Sequence, residues 1–118
     1  MQFKLIMAIV TDDRSERVVH AARAAGATGV TIISGARGEG LVPHKTFLGL
    51  DLLGPCDAVV IVAELQLSAA IMEAIASAGE LDTAAGAGIA FQIPIEATAG
   101  LQSQIKALQE VERAKDRR

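Results

Sequence analysis

At 118 residues, 51% hydrophobic and 21% charged, the chain has apolar mass for one core and no room for a separate catalytic domain. A formal net charge of −3, with basic residues spread rather than striped, excludes a general nucleic-acid binder. Three Phe and no Trp or Tyr leave few aromatic platforms for stacking single-stranded bases. The one cysteine, Cys56, cannot form an intrachain disulfide and points to a reducing compartment, where a buried or half-buried loop thiol is its ordinary reading.

Phe3–Val10 is a short run of branched apolar residues containing Lys4 and followed at once by Asp12 and Asp13. It is too short to span a membrane and lacks the pattern of a signal peptide, so it predicts a central first strand and a cytoplasmic protein that is not membrane-embedded. Asp12 or Asp13 is then expected to cap a helix carrying Val18, Ala22 and Ala25 at helical spacing, with Val19 widening the stripe and Gly26 ending it. Residues 28–34 form the second predicted strand.

Next comes the glycine-rich Gly35-Ala-Arg-Gly-Glu-Gly40, then a polar stretch through Pro43-His-Lys-Thr46. Residues 47–53 return to apolar and are read as the far side of a loop and the start of a long, interrupted third strand, whose main part is 57–63. A second helix is expected over 68–78, capped by Ser68, burying Ile71, Ile75 and Ala78, and ended by Gly79. After a loop over 80–88, residues 89–95 form the fourth strand, and because proline cannot donate to a ladder Pro94 means that this strand ends near an edge or pairs on one side there. Leu101, Ile105, Leu108 and Val111 have helical spacing, so the chain divides into a domain over 1–98 and a C-terminal helix or tail over 99–118.

The order β-α-β-β-α-β is the split arrangement of the ferredoxin-like fold, an α+β architecture with an antiparallel sheet and two helices on one face. The other face needs a cover, and a chain this apolar predicts a sheet-to-sheet oligomer.

The Gly35–Gly40 run could let backbone N–H groups approach an anion, or could be a flexible hairpin tip. It is no P-loop, because Lys45-Thr46 comes too late, and it does not open a helix after a strand. Arg37 can hold a phosphate or carboxylate in a bidentate fork, and Lys45 can act as a point charge; a solvated loop explains Lys45 and His44 equally well, and Arg37 is the stronger candidate. His44 and His20 stand without a Cys/His/Asp cluster, and no acid–base or metal pattern is present, so no catalytic and no metal residue is assigned and the chain is not read as an enzyme.

The stretches Lys4–Val10 and Ala25-Gly-Ala-Thr-Gly-Val-Thr-Ile-Ile33 resemble the first strand and the helix–strand junction of the P-II nitrogen-regulatory proteins. Arg37-Gly-Glu-Gly40 resembles the start of that family's long T-loop, and 79–89 its B-loop and final strand; the likeness spans residues 3–96. The resemblance implies a homotrimer that binds an adenine nucleotide (ATP, ADP or AMP) in clefts between subunits. It also implies that the ligand reshapes the T-loop to regulate a membrane transporter or a metabolic enzyme. The implied ligand-binding residues are Thr31, facing the base, Gly35, Arg37, Gly38, Gly40 and Lys45 in the loop, Glu64 beside adenine, and Gly86 and Gly88 near the phosphates.

The chain departs from the family in having a shorter T-loop segment, no Tyr for covalent modification, no B-loop lysine in Ala87-Gly-Ile-Ala90, and Ile95-Glu-Ala-Thr98 where a basic Arg-X-Arg pair is usual. These departures describe a divergent PII-like member. Two other readings of the sequence are a small ferredoxin-like enzyme or metal-binding protein, and a ligand-free structural interaction module.

Overall fold

A computed structural model describes residues 2–34, 46–47, 50–51 and 55–100. The elements are β1 (Phe3–Thr11), a 3-10 turn (Asp12–Arg14), α1 (Ser15–Ala24), β2 (Val30–Ile33), β3 (Thr46–Phe47), β4 (Leu50–Asp51), β5 (Cys56–Glu64), α2 (Leu65–Ala78) and β6 (Gly88–Pro94). Four strands form one sheet in the order β2-β5-β1-β6, each antiparallel to its neighbours. The two halves of the fold, β1-α1-β2 and β5-α2-β6, each join parallel strands across an intervening one, which is the split βαβ topology. This is the ferredoxin-like α+β fold expected from the element order.

Alternation along the central strands makes the core. Ile6, Ala8 and Val10 of β1 and Val59, Ile61 and Ala63 of β5 point to the helices and are buried, as are Val18 and Ala22 of α1 and Ile71 and Ile75 of α2. Burying each of the large aliphatic side chains is worth roughly 1.5–3 kcal/mol. Val19, Ala25, Val30, Leu67, Met72, Leu81 and Ala90 pack around that cluster.

Gly26 ends α1 as expected. It takes φ +117, and the Ala27 N–H reaches back to the Ala22 carbonyl at 2.9 Å. Among the described residues β6 pairs with β1 alone, so Pro94 lies on a strand paired on one side.

Several boundaries differ from the sequence expectation. Asp12 and Asp13 do not cap α1; they lie in the 3-10 turn, Arg14 occupies the N-cap position, and no side chain caps the helix. The Asp12 N–H instead donates to the Pro55 carbonyl at 3.0 Å. Ser68 is likewise not a cap. α2 begins a turn earlier, at Leu65, whose N–H finds the Gln2 carbonyl at 2.9 Å, and the buried Ser68 hydroxyl donates to the Leu65 carbonyl at 2.8 Å. Ala78 is half-buried rather than part of the buried stripe.

At the end of α2 the left-handed backbone falls on Glu80 (φ 56), while Gly79 keeps a right-handed φ of −83. Gly79 is small for packing instead, since a Cβ there would stand 3.1–3.2 Å from Leu81, the Ile75 carbonyl and Val18. β3 and β4 pair with each other as a separate two-stranded unit, so they do not begin β5 as an interrupted strand. Cys56 is buried and opens β5 rather than sitting in a loop. The helix read from Leu101–Val111, and with it most of the C-terminal tail over 99–118, lies outside the described residues.

Candidate functional site

Neither α1 nor α2 covers the second face of the sheet, since both pack on the face of Ile6, Ala8, Val59 and Ile61. Thr31, Val60, Met7 and Phe91 form one row across the four strands; Ile33, Ala58, Ile9 and Ile89 form the next. Val62, Leu5 and Ile93 continue it. Ile33 is 56% exposed, Ile93 47% and Val62 39%, so large aliphatic groups stand in water on this face of a single chain. Thr31 is a polar member of this face, on the edge strand β2, with its side chain exposed, and Glu64 follows Val60 and Val62 on the same face at the end of β5.

Glu64, the last residue of β5, pairs with Phe3 at one end of the sheet, is half-buried, and lines a groove of about 230 Å³ with Gln2, Leu65 and Gln66. A larger groove of about 510 Å³ lies beside it, where Lys4 and Glu96 bring opposite charges among Phe3, Leu65, Ile95 and Thr98.

Gly88 opens the other edge strand, β6, and pairs with Val10 at the far end of β1. Gly86 and Gly88 both need positive φ (72 and 152). The close approach that Gly88 permits is to its own chain, because a Cβ there would lie 2.3 Å from the Ile9 carbonyl oxygen and 2.9 Å from Val10 Cα. Gly35, Arg37, Gly38, Gly40, His44 and Lys45 lie outside the described residues.

The structure therefore does not gather the described candidates within one chain. Thr31 and Gly88 stand on opposite edges, three strand spacings or about 14 Å apart across the sheet and three residues, about 10 Å, apart along it. Glu64 and Gly88 stand at opposite ends, separated by the length of β1 from Phe3 to Val10, about 24 Å.

Around the 79–88 loop the structure brings in residues that reading the sequence did not associate with it. Arg14 Nη2 lies 3.8 Å and Arg17 Nη2 3.4 Å from Glu80 Oε1. Arg14 Nη1 also donates to Thr11 Oγ1 at 3.0 Å and lies 3.6 Å from Asp13 Oδ2. The hydrogen bond from Thr11 holds the Asp13 carboxyl below the ordinary aspartate range, and Arg14 adds to this against the opposing effect of desolvation.

Thr11 reaches the other end of the loop through its backbone, its N–H donating to the Ala87 carbonyl at 3.1 Å. The i, i+3 spacing of Arg14 and Arg17 is a visible sign that both face one way from α1, but nothing local indicates Glu80 as their partner. Next to this cluster, Ser15 Oγ donates to Asp57 Oδ2 at 2.5 Å, tying the start of α1 to the start of β5. His20 is exposed, and no group of three metal-ligating side chains occurs among the described residues. No helix among them is long and apolar enough to cross a membrane.

A family model described as Nitrogen regulatory protein P-II matches residues 3–104. The chain belongs to the P-II family. A search among curated proteins finds no match. Among solved structures this P-II chain is similar to a PII-like signalling protein from Thermus thermophilus, with 21% identity, a TM-score of 0.57, and 80% of this chain and 87% of the other covered.

It is also similar to CPII, a nitrogen regulatory PII-like protein from Thiomonas intermedia. In the CPII structure bound to ADP, AMP and bicarbonate the identity is 16% and the TM-score 0.58, with 86% of this chain and 96% of that one covered. In the structure with ADP, AMP and acetate the values are 18% and 0.60, with 85% and 92% covered. At these identities the likeness establishes a shared fold. With the family match, it makes this chain a divergent PII-like member of a signalling family.

Proposed function

We propose that this P-II chain senses an adenine nucleotide in clefts between the subunits of a homotrimer and passes its occupancy to a target through the segment that begins at Gly35. The observation that carries this reading is the dispersal of Thr31, Glu64 and Gly88 over opposite edges and ends of one sheet whose open face is apolar. Packing such faces together removes the aliphatic rows from water and brings the edge strands of different copies side by side. A ligand in that seam would meet residues that one chain keeps apart.

The charge pattern favours few phosphates. The 79–88 loop carries Glu80 and Asp82 and no cation, and Ile95–Thr98 adds Glu96. A ligand with one or two phosphates needs less countercharge than a triphosphate, so AMP or ADP suits the cleft better than ATP, in keeping with the ADP and AMP bound by CPII. Arg37 and Lys45 are the side chains assigned to the phosphates, and Thr31 and Glu64 to the base and ribose. Ordering of a glycine-rich segment by the ligand would shift it between target-competent and incompetent states, the target being a transporter or a metabolic enzyme.

Calorimetry of the folded protein with AMP, ADP and ATP, each with and without bicarbonate, tests the reading together with native mass spectrometry. The expected result is a trimer with ADP or AMP bound more tightly than ATP. A folded protein that binds none of the three would refute it.

A further inference from the structure

We propose that Arg14 is the positioning residue of the 79–88 loop, locking both of its ends to the opening of α1 and so setting the shape that a ligand phosphate meets. The last clause rests on the nucleotide-binding reading above; the locking itself does not.

At the loop's start Glu80 adopts a left-handed backbone, φ 56, unusual for a residue with a side chain. Its carbonyl accepts the N–H groups of Thr83 at 3.3 Å and Ala84 at 2.9 Å, so the orientation of Glu80 directs the turn that follows. The Glu80 carboxylate is held between Arg14 and Arg17.

At the loop's end the Ala87 carbonyl is held by the Thr11 N–H, and the Thr11 hydroxyl accepts from Arg14. Arg14 thus touches the anchors of both ends, whereas the contact of Arg17 is to the first alone. The Arg14 side chain is 19% exposed and that of Arg17 53%, so water and salt screen the Arg14 contacts less.

With no cation of its own, the loop can offer an anion its backbone N–H groups and the Thr83 hydroxyl, and these are useful only if they point the right way beforehand. A clamp on the ends of the loop serves that orientation.

The test is hydrogen-exchange mass spectrometry on the 81–87 amides of the full chain, wild type against Arg14→Gln, Arg14→Lys and Arg17→Gln, with ADP titration of each. Arg14→Gln is expected to speed exchange about three- to tenfold and to weaken ADP by a similar factor. The melting temperature should stay within about 3 °C. Arg17→Gln should have the smaller effect, and Arg14→Lys should recover part of the protection.

Loop exchange unchanged in Arg14→Gln, an equal effect of Arg17→Gln, or ADP affinity unchanged beside a loosened loop overturns the proposal. If the wild type binds no ADP, the nucleotide reading fails and the exchange comparison alone decides the clamp. Should Arg14→Gln fail to fold, Thr11→Val serves instead, since it removes the hydroxyl that Arg14 contacts and keeps the N–H that holds Ala87.

Discussion

Replacing Gly88 with alanine would place a methyl carbon 2.3 Å from the Ile9 carbonyl oxygen, 2.9 Å from Val10 Cα and 3.0 Å from Val10 Cγ1. Two of these neighbours are backbone of the central strand, so no side-chain rotation relieves the overlap. The backbone φ of +152 adds conformational strain of about 1–3 kcal/mol for a residue with a Cβ. Forcing β6 away from β1 at this point adds an overpacking cost of about 1–3 kcal/mol, together with a weakened ladder bond.

The expected loss is about 3–5 kcal/mol, a large part of a typical domain stability. For a chain of this size it corresponds to a fall in melting temperature of about 10–20 °C. Differential scanning calorimetry or denaturant titration, at one protein concentration because assembly shifts the apparent stability, measures it. Gly29→Ala is the control, since a Cβ there meets nothing within 4 Å; it should be neutral or slightly stabilising. A Gly88→Ala variant melting within about 2 °C of the wild type would show that β6 does not press on β1 as described.

Ile75→Ala removes a fully buried side chain between α2 and the sheet and should cost about 2–5 kcal/mol by denaturant titration, without creating any new polar demand. Val60→Asp puts a carboxylate in the middle of the open apolar face, opposite Met7 and Thr31. It should reduce the proposed trimer to monomers in sedimentation or native mass spectrometry while the helix-side core remains intact. Asp13 titrates below the ordinary range in the folded chain, so the stability it contributes is present above its unfolded value and is lost as pH falls through the folded one. Thr11→Val removes the leading cause and should raise the Asp13 pKa, read directly by NMR titration; an unchanged value would contradict the hydrogen bond.

The parts legible in the sequence are those decided by local spacing. Ile6, Ala8 and Val10 alternate, Val18 and Ala22 recur at helical spacing, and Gly26 permits the left-handed turn that ends α1, so element order and the ferredoxin-like fold follow from neighbours along the chain. Both helix starts depart from the sequence expectation. Asp12 or Asp13, and Ser68, have the chemistry of caps, but the Asp12 backbone carbonyl takes the Ser15 N–H within the 3-10 turn that precedes α1. At α2 the helix begins a turn earlier, where the Leu65 N–H finds the Gln2 carbonyl, an acceptor distant in sequence.

The candidate site divides in the same way. Thr31, Glu64, Gly86 and Gly88 could be singled out from residue type and resemblance, since strand, strand end and glycine turn are local properties. Local spacing could not reveal that sheet order sends Thr31 and Gly88 to opposite edges, or that Gly88 is required by the backbone of β1. The joining of Arg14 and Arg17 to Glu80, 63 residues beyond Arg17, was equally invisible, because an ion pair depends on where two elements meet and no periodicity encodes that meeting. By itself the sequence determined the order of the four sheet strands and two helices, the family and a cation-free loop. Tertiary structure alone decided how far apart the candidate residues lie, which side chains stand in the open rows and what holds the loop, because hydrogen bonds and charges act over a few ångströms of space.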